Sequence, residues 1–253
     1  MTRSASSRRS KYLLIDISNS YTKIAFSTRH RVGRPARVPT RQLTRNALRP
    51  YLEIGDLTAV VVSSVVPAKN QMIARAAGRR KVLFIDADCD LGVGVDYPAP
   101  KTIGADRLAN AAAVAELYGR PAIVVDFGTA VTFDVVSAAG DYVGGVIAPG
   151  LESMTSFLYD RTALLPKLTL REPPGAIGKT TRAAMLSGAV YGYRGLVREI
   201  IARIREESFP RQKVRVVGTG GYAQLIARFL PEIEEVNAGL TLEGLRLIAN
   251  RNI

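Results

Sequence analysis

The sequence predicts an α/β protein built by duplication, with two domains of alike topology facing each other across a cleft. One observation is a repeated turn. Ile123-Val-Val-Asp-Phe-Gly-Thr-Ala-Val-Thr-Phe-Asp134 reads as strand, tight turn and strand with a carboxylate at the bend. A weaker copy, Leu13-Leu-Ile-Asp-Ile-Ser-Asn-Ser-Tyr-Thr-Lys-Ile24, sits 110 residues earlier. Aligning Asp16 on Asp126 sets Ser18 against Gly128 and Thr22 against Thr132. The other observation is that strand and helix signals alternate through the first half, and that strands restart after residue 121 as a repeat should.

Taken in order, Met1 to Lys11 are small, polar and basic with no apolar core, which predicts a disordered tail rather than a secretory signal. Strands are expected at Tyr12–Ile17 and Thr22–Ser27, then a basic loop broken by Pro35 and Pro39, then a helix over Arg41–Leu52. The Val-rich run Thr58–Val65, closed by Pro67, predicts a buried strand leading into a helix that ends near Arg80. A short strand at Lys81–Ile85 and a long loop from Asp86 to Ile103 follow. Gly104 to Leu117 is an Ala-rich helix of high intrinsic propensity.

The second half opens with strands at Ala122–Val125, Val131–Val136 and Tyr142–Ile147. A helix follows Pro149-Gly150, and a longer one spans Thr181–Arg205. A strand at Lys213–Val217 and helices at Gly221–Phe229 and Thr241–Asn250 close the chain. The join falls near Tyr118–Pro121, so the expected domains are residues 12–118 and 119–253, after a tail at 1–11.

Composition excludes several classes. A 253-residue chain with 47% hydrophobic and 23% charged residues is globular. Its lone cysteine, Cys89, excludes an internal disulfide framework and fits a reducing compartment such as the cytoplasm. His30 is the sole histidine, so no multi-histidine metal site can form. No apolar run approaches the ~20 residues of a membrane helix. The net charge of +13 is lopsided, with Arg29, Arg31, Arg34, Arg37, Arg41, Arg45 and Arg49 in a stretch that lacks acids from Ile17 to Leu52. Without an accompanying helix-turn-helix, zinc-finger or RNA-binding signature, this block reads as a basic face beside an anionic substrate. Nucleic acid is not the expected partner.

The repeated turn suits phosphate. A strand delivers the Asp to its end, a small residue two places later lets backbone amides approach, and the hydroxyls of Thr129 and Thr132 add donors. The plainer alternative is a hairpin whose Asp and Gly only make the turn. Asp106, in the first turn of the Ala-rich helix, is the candidate general base, because the helix dipole keeps a carboxylate ionised there. Arg107 beside it suits a substrate carboxylate; an ordinary acidic first turn with a surface arginine is the alternative.

Gly178-Lys-Thr180 imitates the end of a P-loop, yet Pro173 stands where its first glycine belongs. Gly218-Thr-Gly-Gly-Tyr-Ala223 lacks the full dinucleotide spacing, but its paired glycines suit the base and sugar of a nucleotide.

With Gly104-Ala-Asp-Arg107, Asp126-Phe-Gly-Thr129, Gly144-Gly-Val-Ile-Ala-Pro-Gly150, Thr181-Arg-Ala-Ala-Met-Leu-Ser-Gly188 and Gly218-Thr-Gly-Gly221 in order, the sequence resembles the type III pantothenate kinases. The resemblance runs from Tyr12 to the Leu240–Leu245 segment. It implies the actin-like/Hsp70-like (ribonuclease H-like) kinase fold, a homodimer, and ATP-dependent phosphorylation of pantothenate. It makes Asp106 the proton acceptor, with Gly104, Ala105, Arg107, Tyr97 and Thr181 on pantothenate, Thr181 from across the dimer. It places Asp16, Ile17, Ser18, Asn19, Ser20, Tyr21, Thr22 and Lys23 in the first ATP phosphate loop, with Asp16 near Mg²⁺. Thr129, Gly220 and Gly221 join the ATP site, and Asp126 becomes the ligand of a monovalent cation, K⁺ or NH₄⁺.

The first loop departs from the family's Asp-x-Gly-Asn-Thr-Asn, with Ser18 for the glycine and Tyr21 for the second asparagine. A Cβ at position 18 strains the loop if φ there must be positive. The alternative function is therefore a catalytically impaired relative that binds nucleotide as an accessory or regulatory protein. An ordinary negative φ at Ser18 with room for a phosphate removes that strain, whereas a loop collapsed over the site deepens it.

Overall fold

The computed structural model describes residues 12–54 and 56–253, so the expected tail at 1–11 lies outside the described residues. The chain divides into two compact units, one formed by the chain up to Leu117 together with Gly239–Ile253, the other by Tyr118–Ala238.

In the first unit, β1 (Tyr12–Ile17) is central and buried at every residue. It pairs antiparallel with β2 (Tyr21–Ser27), which pairs with β3 (Ala36–Pro39). On its other side lie β4 (Ala59–Ser64) and β5 (Lys81–Phe84), both parallel, so the order is β3-β2-β1-β4-β5. One face carries Leu13, Ile15, Ile17, Ile24, Val60 and Val62. They pack against Leu48 and Leu52 of α1 (Arg45–Leu52) and Ile73 and Ala77 of α2 (Pro67–Ala77). Burial on both faces explains why β1 and β4 are near-continuous apolar runs rather than alternating ones.

β3 falls in the stretch read as loop. As an edge strand it tolerates Pro39, which has no amide to give. A single 3₁₀ turn at Thr40–Gln42 separates it from α1, so the helix starts later than Arg41. A two-residue strand, β6 (Gly94–Val95), also lies within the expected long loop.

The other face of β1 and β4 is covered by α3 (Ala105–Leu117) and α7 (Leu240–Asn252). This moves the C-terminal boundary. Residues 239–253, expected in the second domain, pack in the first unit, because α3 and α7 fit one another closely. Alanines at 109 and 111–113 leave α3 a thin surface, and any Cβ on Gly244 would collide with the Ala109 backbone. The Thr241 hydroxyl lies 2.9 Å from Asn110 Oδ1 in this buried contact.

The second unit repeats the plan. β7 (Ala122–Phe127), β8 (Ala130–Val136) and β9 (Asp141–Pro149) form the meander, and β10 (Arg215–Thr219) and β11 (Glu235–Val236) add in parallel beside β7. Its core joins Ile123, Val125 and Phe127 to Val190, Val197 and Ile201 of the long helix α5 (Thr181–Ser208). α4 (Leu151–Arg161) and the short α6 (Ala223–Ala227) complete the unit. Arg194, nearly buried, holds the irregular segment before α5 by a two-pronged pair to Glu172 at 2.9 and 2.6 Å, which keeps the Glu172 carboxyl below its ordinary value.

Gly178-Lys-Thr180 is a helix start and not a phosphate cradle. Thr180 Oγ1 accepts from the Ala183 amide at 3.2 Å, capping α5, and Gly178 is pressed against the backbone of its first turn.

Candidate active site

In the first unit, β1 carries Asp16 to its C-terminal end, 4% exposed. The ladders place Lys23 of β2 on one side of Asp16 and Ser63 of β4 on the other. Ser63 is fully buried and its hydroxyl has no partner. The loop that follows, residues 18–21, closes by a Ser18 amide bond to the Tyr21 carbonyl at 3.2 Å.

Thr40 holds this loop from behind. Its hydroxyl donates to the Ser18 carbonyl at 2.7 Å, its amide donates to the Ser20 carbonyl at 3.0 Å, and its oxygen lies 3.1 Å from the Thr22 hydroxyl. Asn19 and Ser20 remain exposed on the other side. Among the described residues no non-glycine φ is positive, so Ser18 has an ordinary backbone and its Cβ imposes no strain.

Three loop residues stand differently from the sequence alignment. Thr22 is fully buried and spends its hydroxyl on Thr40. The ladder partner of Asp16 is Lys23, whereas that of Asp126 is Thr132, so Lys23 rather than Thr22 corresponds to Thr132. The first hairpin is one residue longer than the second, and Ser20 is the structural counterpart of Thr129. Ile17 is buried core; its carbonyl accepts from the Val65 amide at 3.0 Å. Tyr21 is 41% exposed, and the Arg37 guanidinium lies 3.6 Å from the centre of its ring.

The same end of this sheet carries the second motif. A Cβ on Gly104 would lie 3.5 Å from Val65 and 2.6 Å from the Asp106 carboxylate, so the start of α3 stands over the ends of β1 and β4. The Asp106 carboxylate folds back over Gly104 and accepts from the Arg107 amide at 2.9 Å. Asp106 and Arg107 are half-buried, Ala105 is buried beneath them, and Tyr97 is half-buried in the preceding loop.

In the second unit, Asp126 stands one residue before the end of β7, flanked in register by Thr132 of β8 and Thr219 of β10. Thr219 is fully buried, and its hydroxyl has no partner. Thr132 donates instead to the buried Asp134 at 3.4 Å. Gly220 has φ +93°, and a Cβ there would meet the Asp126 carboxylate and, at 2.6 Å, the Phe127 amide. Beneath them, burial first and the Asp126 charge after it push the Tyr193 phenol above its ordinary value, so it stays protonated.

Thr129 is exposed at the turn, and its carbonyl is gripped by the Gly150 amide at 3.1 Å and the Ser153 hydroxyl at 2.7 Å. Tyr222 donates its amide to Phe127 at 3.3 Å and its phenol to Glu152 at 2.8 Å. Gly221 is open to solvent, and Thr181 is exposed at the first turn of α5.

Sequence reasoning missed Thr40, Ser153, Tyr222, Ser63 and Thr219. The available signal was positional: Thr40 and Gly150 each follow a proline that ends the third strand of a repeat. Among the described residues no three His, Cys, Asp or Glu side chains are grouped to hold a metal. Each aspartate stands with a buried hydroxyl instead, a donor set that fits a cation sharing one carboxylate with phosphate oxygens and water.

Solved structures share this fold at low identity. A Baf-family protein from Campylobacter jejuni superposes with a TM-score of 0.61 at 18% identity, covering 94% of this chain and 97% of that one. The ethanolamine utilization protein EutJ from Carboxydothermus hydrogenoformans gives 0.55 at 14%, covering 93% and 89%. The fold is thus the actin-like α/β architecture. A curated type III pantothenate kinase from Akkermansia muciniphila is 49% identical over 249 residues, spanning 96% of this chain and 99% of its own. Another from Methylacidiphilum infernorum is 43% identical over 93% and 87%. The family model for type III pantothenate kinase matches residues 12–203, the stretch that carries both aspartate hairpins and the start of α3. With these motifs held in one architecture, the chain belongs to the type III pantothenate kinase family.

Proposed function

We propose that this protein phosphorylates pantothenate at its hydroxyl with ATP, giving 4′-phosphopantothenate, the first step towards coenzyme A. The observation that carries the reading is the placement of Asp106. A half-buried carboxylate in the first turn of α3 stands over the strand ends that bear the Asp16 loop, both within one unit. Phosphoryl transfer asks a protein mainly for positioning and charge, and this loop and base supply both.

The backbone amides of Asn19 and Ser20 and the hydroxyls of Ser18 and Ser20 hold donor phosphate in the first unit, with Lys23 adding charge. Thr129 and the Gly220-Gly221 turn do so in the second. Asp106 accepts the proton of the substrate hydroxyl as it attacks in line. Gly104 and Ala105 shape that turn, and Arg107, with Tyr97, orients the substrate carboxylate. Mg²⁺ bound with the nucleotide offsets phosphate charge, and Asp16 is the carboxylate suited to it. Asp126, with the buried Thr219 hydroxyl beside it, suits K⁺ or NH₄⁺.

A homodimer completes the reading, with Thr181 serving the partner's pantothenate. Its support is an apolar groove of about 570 Å³ between α4 and α5, lined by Met154, Leu158 and Met185 and bordered by Phe157, itself 60% exposed. Among the described residues no helix is long and apolar enough to cross a membrane, and the single free cysteine fits the cytoplasm.

The test is pantothenate-dependent ADP formation with Mg²⁺, in K⁺ and again in Na⁺ alone. Turnover stimulated by K⁺ is expected; binding of pantothenate without turnover would leave the accessory-protein alternative. Asp106→Asn should lower kcat by about 10²–10⁴ while leaving pantothenate affinity close to unchanged, and near-normal turnover would remove the base assignment.

A further inference from the structure

We propose that Arg37, outside every motif named above, is a further residue of the donor-phosphate site and grips nucleotide phosphate together with Lys23; this rests on the kinase reading. Lys23 of β2 and Arg37 of β3 are direct partners in an antiparallel ladder. In that geometry their Cβ atoms lie about 5 Å apart, and like charges at directly opposite positions weaken a sheet unless an anion offsets them. Among the described residues neither cation makes an ion pair, whereas Arg49 of the same basic block is paired to Glu53.

Three features point the pair at the phosphate loop. Asp16 and Ser63 continue the same row across β1 and β4, so Arg37, Lys23, Asp16 and Ser63 share one face of the sheet at its loop end. Arg37 is not loose in solvent: its guanidinium is spread 3.6 Å over the ring of Tyr21, the last residue of the loop. Stacking fixes the plane of the fork and leaves its edge donors available, which suits bidentate recognition of phosphate. Arg37 is exposed, and β3 is an edge strand with no strand beyond it among the described residues. Tyr21, which departs from the family pattern, thereby gains a role as the platform that presents Arg37.

The test compares Arg37→Met, which keeps a long apolar stem over Tyr21, with Arg37→Lys. Steady-state kinetics, calorimetric binding of inorganic triphosphate and melting of the ligand-free protein are measured for each. Arg37→Met is expected to raise KM for ATP and weaken triphosphate binding by about tenfold, with KM for pantothenate within twofold. Its ligand-free melting temperature should hold or rise, since a like-charge contact is removed. Arg37→Lys should recover part of the triphosphate affinity.

A fall in melting temperature with ATP and triphosphate binding unchanged would overturn the proposal and make Arg37 a packing residue on Tyr21. A rise in KM for pantothenate alone would overturn it in favour of the substrate carboxylate. Should the wild-type protein show no pantothenate-dependent turnover, the kinase reading falls, and the triphosphate titrations still decide what Arg37 binds.

Discussion

The two aspartate hairpins use one device with the extra residue in different places. In the first unit the hairpin is longer, Ser18 to Tyr21, while the crossing from β4 to the next helix is short: Val65, two residues after Ser63, already bonds to Ile17. In the second unit the hairpin is shorter, and the crossing from β10 is longer, with Gly220 and Gly221 between Thr219 and the Tyr222 amide that bonds to Phe127. The first unit thus lengthens the hairpin beyond its aspartate, and the second brings the Gly220 backbone close against its own. Duplication supplied two equal carboxylates, and a one-residue shift in loop length gave them different surroundings.

The largest effect is expected where the second unit spends its glycine. Gly220→Ala places a Cβ on the Asp126 carboxylate at φ +93° and should cost about 2–4 kcal/mol, with activity lost even where the protein folds. Ser64→Ala, at the matching position of the first unit, removes only the 3.2 Å bond to the Val66 amide at the start of α2 and should cost about 1 kcal/mol in thermal or urea unfolding. Equal losses would break the comparison.

The loop latches come next. Thr40→Val deletes the bonds of its hydroxyl to Ser18 and Thr22 and should lower kcat/KM for ATP about tenfold or more, with Thr40→Ser restoring most of it. Ser153→Ala leaves the Gly150 amide on Thr129 and should cost only a few-fold in the same assay.

Ser18→Gly is the smallest. Because Ser18 already has an ordinary φ, restoring the glycine should change KM for ATP by less than about threefold; a large gain would show that the Cβ does obstruct phosphate.

Much of this was legible in the chain. Apolar runs that end in Asp16 and Asp126 gave both central strands and the duplication, because a strand buried on both faces must be apolar throughout and can expose chemistry only at its end. The Ala-rich start of α3 located Asp106 in the same way. The edge strand β3 was not legible, since prolines and arginines in a basic stretch read as loop, and only pairing with β2 satisfies that backbone.

By itself, then, the sequence determined the repeated α/β plan, the two carboxylates and the helix that follows Gly104, all encoded in local pattern. Tertiary structure alone decided the rest. It decided that α7 belongs with α3, because Gly244 and the alanines fit at close range, and that Lys23, not Thr22, stands opposite Asp16. It also decided that Thr40 closes the first loop and that Arg37 faces Lys23. Each is a matter of strand register or of contact between residues distant in sequence, which no local pattern encodes.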